Sequence, residues 1–142
     1  MYEPIRSKSV HTMAGAQDQN FPHRSREEEL DIQLAGHLAA LLAVTDELRG
    51  LAPDAELDAG AEQLALQIAR LRGGLPPVRS TVAAAIHEPD LAALHQRAHA
   101  LAGRALVVAA SRADTAAAIL AAERMDAHAA AAAHTGDLVG TP

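Results

Sequence analysis

The fold class is decided by the stretch SREEELDIQLAGHLAALLAVTDELRG, residues 25–50. Ser25 and Glu28 have the spacing of a capping box, in which each side chain accepts a hydrogen bond from the other residue's exposed backbone N–H. Behind this start, apolar side chains recur every three or four residues, which is typical of one buried face of a helix. The stripe consists of Leu30, Leu34, His37, Leu38, Leu41, Val44, Thr45 and Leu48. The stretch therefore predicts an amphipathic helix that ends near Gly50.

The same signals predict further helices along the chain. Pro53 and Asp54 favour a helix start, and Gly73 and Gly74 favour its end. Glu88-Pro89-Asp90 favours another start, and Ser111 and Asp114 have capping spacing, so a tight turn should separate the last two helices. The predicted seams of the second and third main helices are Leu57, Ala61, Leu64, Ile68, Leu71, Leu75 and Leu91, Leu94, Ala98, Leu101, Ala105, Val108. The predicted helices are 25–50, 54–73, 78–87, 90–110 and 114–134.

Composition supports an all-helical chain. Alanine, the best helix former, makes up about a quarter of the 142 residues, and only Tyr2 and Phe21 are aromatic. Four main helices of similar length with short connections predict an all-α fold, an antiparallel up-down-up-down four-helix bundle. The helix over 78–87 is a short addition in the central connection. Residues 1–24 form an extended N-terminal tail, residues 25–136 the bundle, and residues 137–142 a C-terminal tail.

Charge and motif content argue against several functional classes. The formal net charge is −6, and Lys8 is the only lysine, so a basic surface for nucleic acid is not expected. The chain has no cysteine, no apolar stretch of membrane-spanning length, and no h-region of a signal peptide. No phosphate-binding loop or nucleophile elbow is present. We expect a cytoplasmic protein without nucleic-acid or membrane partners.

The last helix has little large apolar surface to bury. Ile119, Leu120 and Met125 are its only large apolar residues, and they lie on different faces. Self-association through the alanine-rich helices would supply the missing burial, so a homodimer is expected. Because no complete catalytic constellation is visible, the sequence favours a non-enzymatic interaction or regulatory protein with no cofactor.

The histidines suggest an alternative function. His37 stands on an apolar stripe where a buried imidazole needs a hydrogen-bond partner or a metal. His95 and His99, four residues apart, could face it at a similar height in the bundle, together with Glu123, with Asp126 in reserve. The metal alternative is a zinc or iron site of His37, His95, His99 and Glu123. A small-ligand pocket between helices, anchored on His37, is the third hypothesis. His128 is predicted to be solvated.

Overall fold

The computed structural model describes residues 24–79 and 90–140. This part of the chain contains four helices and no strand. The helices are α1, Arg26–Leu51; α2, Ala55–Leu71; α3, Leu91–Arg112; and α4, Thr115–Gly140. The all-helical prediction is therefore confirmed. Residues 1–23, most of the short helix predicted over 78–87, and residues 141–142 lie outside the described residues.

The helix starts follow from capping side chains. Ser25 and Glu28 form the predicted capping box, with Ser25 N donating to Glu28 Oε1 at 2.8 Å and Glu28 N donating to Ser25 Oγ at 3.1 Å. Asp54, Asp90 and Asp114 each accept a hydrogen bond from a backbone N–H in the first turn of α2, α3 and α4. These bonds satisfy N–H groups that have no partner within the helix.

A two-residue link connects α3 to α4. Ala113 has φ 60° and ψ 36°, a left-handed conformation that ends α3, and Asp114 N donates to Ala109 O at 2.9 Å. The turn keeps Arg112 out of the core, and its Nε donates to Asp31 Oδ1 of α1 at 3.0 Å. The predicted tight turn is thus confirmed at Ala113 and Asp114, but Ser111 is not a cap, because it lies within α3 and its hydroxyl donates to Val107 O at 3.0 Å. At the other end, α4 continues to Gly140, past the predicted end at residue 134.

Leucines dominate the part of the core that α1 and α2 contribute, and alanines the part from α3 and α4, to which Leu101 and Leu120 are added. The most extensive helix contact is between α3 and α4, followed by α1 with α3 and α1 with α2. Thr45 is fully buried in α1, and its hydroxyl donates to Leu41 O at 2.8 Å. The buried apolar side chains include Leu34, Leu38, Leu41, Leu48, Leu57, Leu64, Ile68, Ala98, Ala105 and Ala121. Alanine seams let helix axes approach closely, toward about 8 Å.

Candidate functional site

The buried face of α4 carries two polar side chains, Arg124 and His128. They continue the row of Ala117, Leu120 and Ala121, and their exposed fractions are 3% and 1%. Arginine is almost never fully buried unless it is paired, because taking its charge out of water is costly. The burial of His128 contradicts the prediction that this side chain is solvated. Together, Arg124 and His128 place two ionisable side chains inside the bundle.

Arg124 forms an ion pair with Glu56 in the first turn of α2. Its Nη1 donates to Glu56 Oε2 at 2.6 Å, and its Nη2 lies 3.4 Å from Glu56 Oε1. The Glu56 carboxylate is 57% exposed, so the buried cation is neutralised by a partner at the surface. Arg124 Nε is buried and has no hydrogen-bond partner within the described residues. The guanidinium therefore keeps one donor unsatisfied, which costs stability.

Gly60 makes room for the guanidinium. A Cβ atom at position 60 would lie 2.6 Å from Arg124 Cζ and 2.7 Å from Nη1, closer than real contacts allow. Glycine inside a helix normally costs about 0.5–1 kcal/mol relative to alanine. The glycine in the middle of α2 is explained by the space that Arg124 occupies.

A hydrogen-bonded line continues from Arg124 through two histidines. Arg124 Nη2 lies 3.4 Å from His128 Nε2, and His128 Nδ1 lies 3.0 Å from His95 Nδ1 of α3. Because arginine can only donate, His128 Nε2 is the acceptor and His128 Nδ1 carries the proton that it donates to His95. His95 then carries its own proton on Nε2. The geometry thus fixes a tautomer for each ring.

Both imidazoles are less basic than free histidine. Burial, together with the positive charge of Arg124 and smaller contributions from His95 and His99, lowers the pKa of His128 to about 4. Burial also lowers the pKa of His95, together with Arg124, while Asp54 and Glu56 oppose the change. Both rings are therefore neutral at neutral pH, as the tautomer assignment requires.

A cavity of about 240 Å³ adjoins this line, where the α1–α2 connection meets the start of α3 and the end of α4. Its apolar wall is formed by Ala52, Leu57, Leu91, Ala127 and Ala131. Its polar wall is formed by Asp54, Glu56, His95, His128, His134 and Thr135. The cavity therefore combines an apolar body with converging hydrogen-bonding groups, the composition expected of a small-molecule site.

The residues predicted as metal ligands are not gathered in one place. His95 contacts His128, whereas His99 Nδ1 donates to the backbone oxygen of Met125 at 3.0 Å. His37 is only half-buried on α1, and Glu123 and the reserve candidate Asp126 are exposed on α4. Within residues 24–79 and 90–140, no three His, Asp or Glu side chains are grouped so as to hold a metal ion. Of the four candidates, His95 alone belongs to the buried polar line.

Sequence reasoning missed Glu56, Gly60, Arg124 and His128. Of the large apolar residues of α4, Leu120 lies on the buried face with Arg124 and His128, whereas Ile119 is 54% exposed. Two signals could have indicated the correct face. Arg124 and His128 are four residues apart, so they share a side of α4. Gly60 lies within a stretch of strong helix formers and does not end the helix, which indicates a packing reason for a glycine there.

Comparison of the chain with family models, with curated proteins and with solved structures gives no match. The described helices include none with the length and apolar character needed to cross a membrane. The function is therefore inferred from the geometry of the site itself.

Proposed function

We propose that the protein is a helical bundle that binds a small molecule in the cavity beside His95 and His128. The observation that carries this proposal is the line from the exposed Glu56 through the buried Arg124 and His128 to His95, which borders the cavity. A buried ion pair is often no more stabilising than apolar residues of the same volume. Since this line costs stability and leaves Arg124 Nε unsatisfied, a binding role accounts for it better than a structural role.

The cavity favours an uncharged or weakly basic ligand. Arg124 is already neutralised by Glu56, and His95 and His128 are neutral, which leaves the Asp54 carboxylate without an ion-pair partner among the described residues. A volume of 240 Å³ equals that of about eight water molecules at ~30 Å³ each, below the usual range for drug-sized ligands. The ligand would place a hydrogen-bond acceptor at His95 Nε2–H and its apolar part against Leu57 and Leu91.

A matched series of probes tests this proposal. Benzamide, benzoate and benzylamine are similar in size and differ in charge. We expect benzamide to shift the NMR signals of the Leu57 and Leu91 methyl groups saturably, with a Kd of about 1 mM, and benzoate to bind at least about tenfold more weakly. Absence of saturable shifts at these methyl groups for all three probes would refute the proposal.

A cavity-filling pair of variants supplies the control. Ala131 lines the cavity, whereas Ala129 is exposed on the same helix. Ala131→Phe should abolish benzamide binding, and Ala129→Phe should leave it unchanged. Equal loss in both variants, or in neither, would place the probe somewhere else.

We also infer that the helices run alternately up and down. From His95 to His99 along α3, the contacts move back along α4 from His128 to Met125. The Arg49–Asp58 ion pair likewise joins the end of α1 to the start of α2. Because the chain has no cysteine, pairs of spin labels on introduced cysteines can test this arrangement by distance measurement. With one label fixed near the end of a helix, labels placed further along the next helix should lie progressively farther away if the two helices are antiparallel. Distances that follow the opposite trend would contradict this arrangement.

The interaction or regulatory role expected from the sequence stays a prediction. Ligand binding would give it a physical basis, because a ligand that prefers one conformation shifts the population toward that conformation.

A further inference from the structure

The outer faces of α3 and α4 carry two exposed rows whose spacing alternates between three and four residues. On α3 the row is Ala93, Arg97, Ala100, Arg104, Val107 and Ser111. On α4 it is Ala116, Ile119, Glu123, Asp126, Ala130 and Ala133. Such steps place the members of each row along one side of their helix, and all of them are exposed.

Each row combines a large apolar residue with charges of a single sign. Val107 is 66% exposed and Ile119 is 54% exposed, although most of their neighbours in the rows are small. The α3 row has two arginines and no acidic residue, and the α4 row has two acidic residues and no basic one. None of these four charged side chains forms an ion pair with another described residue.

We propose that this face, the two outer rows of α3 and α4, is the interface of a homodimer whose two-fold axis runs parallel to the helices. Such an axis places α3 of one copy beside α4 of the other copy. In the register set by the His95–His128 and His99–Met125 contacts, Arg97 is then level with Asp126 of the second copy. Arg104 lies within one helical turn of the second copy's Ile119 and Glu123.

Charge selects this axis over the perpendicular one. A two-fold axis perpendicular to the helices would place α3 against α3 and α4 against α4. Arginines would then face arginines and carboxylates would face carboxylates, which is destabilising. The parallel axis brings opposite charges together at both α3–α4 contacts, so the chain is complementary to a second copy of itself.

The size of the face is compatible with a stable dimer. Two neighbouring helices of about 33 Å in length, with axes about 8–10 Å apart, give a face of roughly 600 Å² per copy. Standard interfaces bury about 800 Å² per partner. The alanines of both rows allow the close approach of helix axes that this area needs. This inference does not depend on the ligand cavity, which is formed on the other side of α3 and α4 with α2.

Charge reversal on the full chain tests the interface. Sedimentation velocity should show a dimer for the wild-type protein at concentrations of tens of micromolar. The double variant Arg97→Glu with Arg104→Glu and the double variant Glu123→Arg with Asp126→Arg should each raise the dimer Kd by about 100-fold or more. Each variant alone places like charges at both contacts.

An equimolar mixture of the two double variants is the decisive measurement. In the mixed dimer both α3–α4 contacts again join opposite charges, so the mixture should form a heterodimer although each variant alone is a monomer. The reversal Glu62→Arg, at an exposed position of α2, is the control and should leave the wild-type dimer intact. A monomeric wild-type protein, or two monomeric variants that do not associate when mixed, would overturn the proposal. Far-UV circular dichroism of each variant checks that the fold is retained.

Discussion

Replacement of glycine by alanine should have opposite effects at two positions of this chain. Gly36 lies inside α1, and a Cβ atom there meets nothing within 4 Å. Gly36→Ala should therefore stabilise the protein by about 0.5–1 kcal/mol, the usual gain at a helix interior. At Gly60 the same atom would lie 2.6 Å from Arg124 Cζ, so the buried guanidinium has to move.

The cost at Gly60 follows from the bonds that Arg124 would lose. Displacement weakens its charge-assisted bond to Glu56, which is worth about 1.5–3 kcal/mol, and its contact with His128. After subtraction of the helix-propensity gain, Gly60→Ala should destabilise by about 1–2 kcal/mol. Urea unfolding followed by far-UV circular dichroism measures both variants on one scale.

A double-mutant cycle attributes the effect to the Gly60–Arg124 contact. In the Arg124→Met background the guanidinium is absent, so Gly60→Ala should become stabilising by about 0.5–1 kcal/mol, as at Gly36. The coupling free energy between the two positions should then be about 2 kcal/mol. If Gly60→Ala stabilises the wild-type protein as much as Gly36→Ala does, Arg124 does not need the space at position 60.

Three further predictions concern stability. The unfolded state binds a proton at His128 near pH 6.5 and the folded state only near pH 4, so acidification from about pH 7.5 to pH 5 should cost about 2 kcal/mol through this residue. In His128→Gln, the free energy of unfolding measured with urea should fall between the two pH values by about 2 kcal/mol less than in the wild-type protein. An equal fall in both proteins would contradict the lowered pKa of His128. Ser25→Ala should lower the free energy of unfolding by about 1 kcal/mol, because it removes the capping box. The neighbouring control Arg26→Ala should change it by less than about 0.5 kcal/mol, and equal losses in the two variants would argue against the cap. Leu64 is fully buried, so Leu64→Ala should lower the free energy of unfolding by about 2–5 kcal/mol. Leu66 is 65% exposed, so Leu66→Ala should change it by less than about 0.5 kcal/mol. Similar losses in the two variants would contradict the orientation of α2.

The helices α1 to α3 could be predicted from the sequence because leucines and caps mark them strongly. The capping box of Ser25 and Glu28 lies where its spacing indicates. Of the seam predicted for α2, Leu57, Ala61, Leu64 and Ile68 are buried, whereas Leu71 is half-buried and Leu75, beyond the end of the helix, is 59% exposed. A leucine at the wrong face of a helix loses about 1.5–3 kcal/mol of burial free energy, so the apolar pattern fixes the rotation of such a helix.

The rotation of α4 could not be predicted in this way. Alanines occur on every side of this helix, and each buries so little area that its pattern scarcely distinguishes one face from another. The face is decided by partners on other helices: Glu56 and Gly60 on α2 and His95 on α3 receive Arg124 and His128. These contacts join residues far apart in the sequence, and spacing within α4 does not reveal them.

His37 illustrates the same limit on α1. The predicted stripe includes His37, but Leu38, Leu41 and Leu42 fill the core and leave His37 half-buried beside them. The stripe of an amphipathic helix is broad, so a residue one step from its centre can lie at the border of the core.

The two-residue link at Ala113 and Asp114 also has a kinetic consequence. It joins the two helices with the most extensive mutual contact, so their association closes almost no loop, whereas α1 reaches α3 only by closing a loop that contains all of α2. Loop-closure entropy therefore favours early formation of the α3–α4 hairpin, and of the α1–α2 pair with its three-residue link, before α1 packs on α3. His95 and His128 would meet early at the open end of the α3–α4 hairpin, and Glu56 and Leu57 would arrive only when α2 docks. We expect the cavity to be among the last features completed during folding, and to open first when the protein unfolds locally.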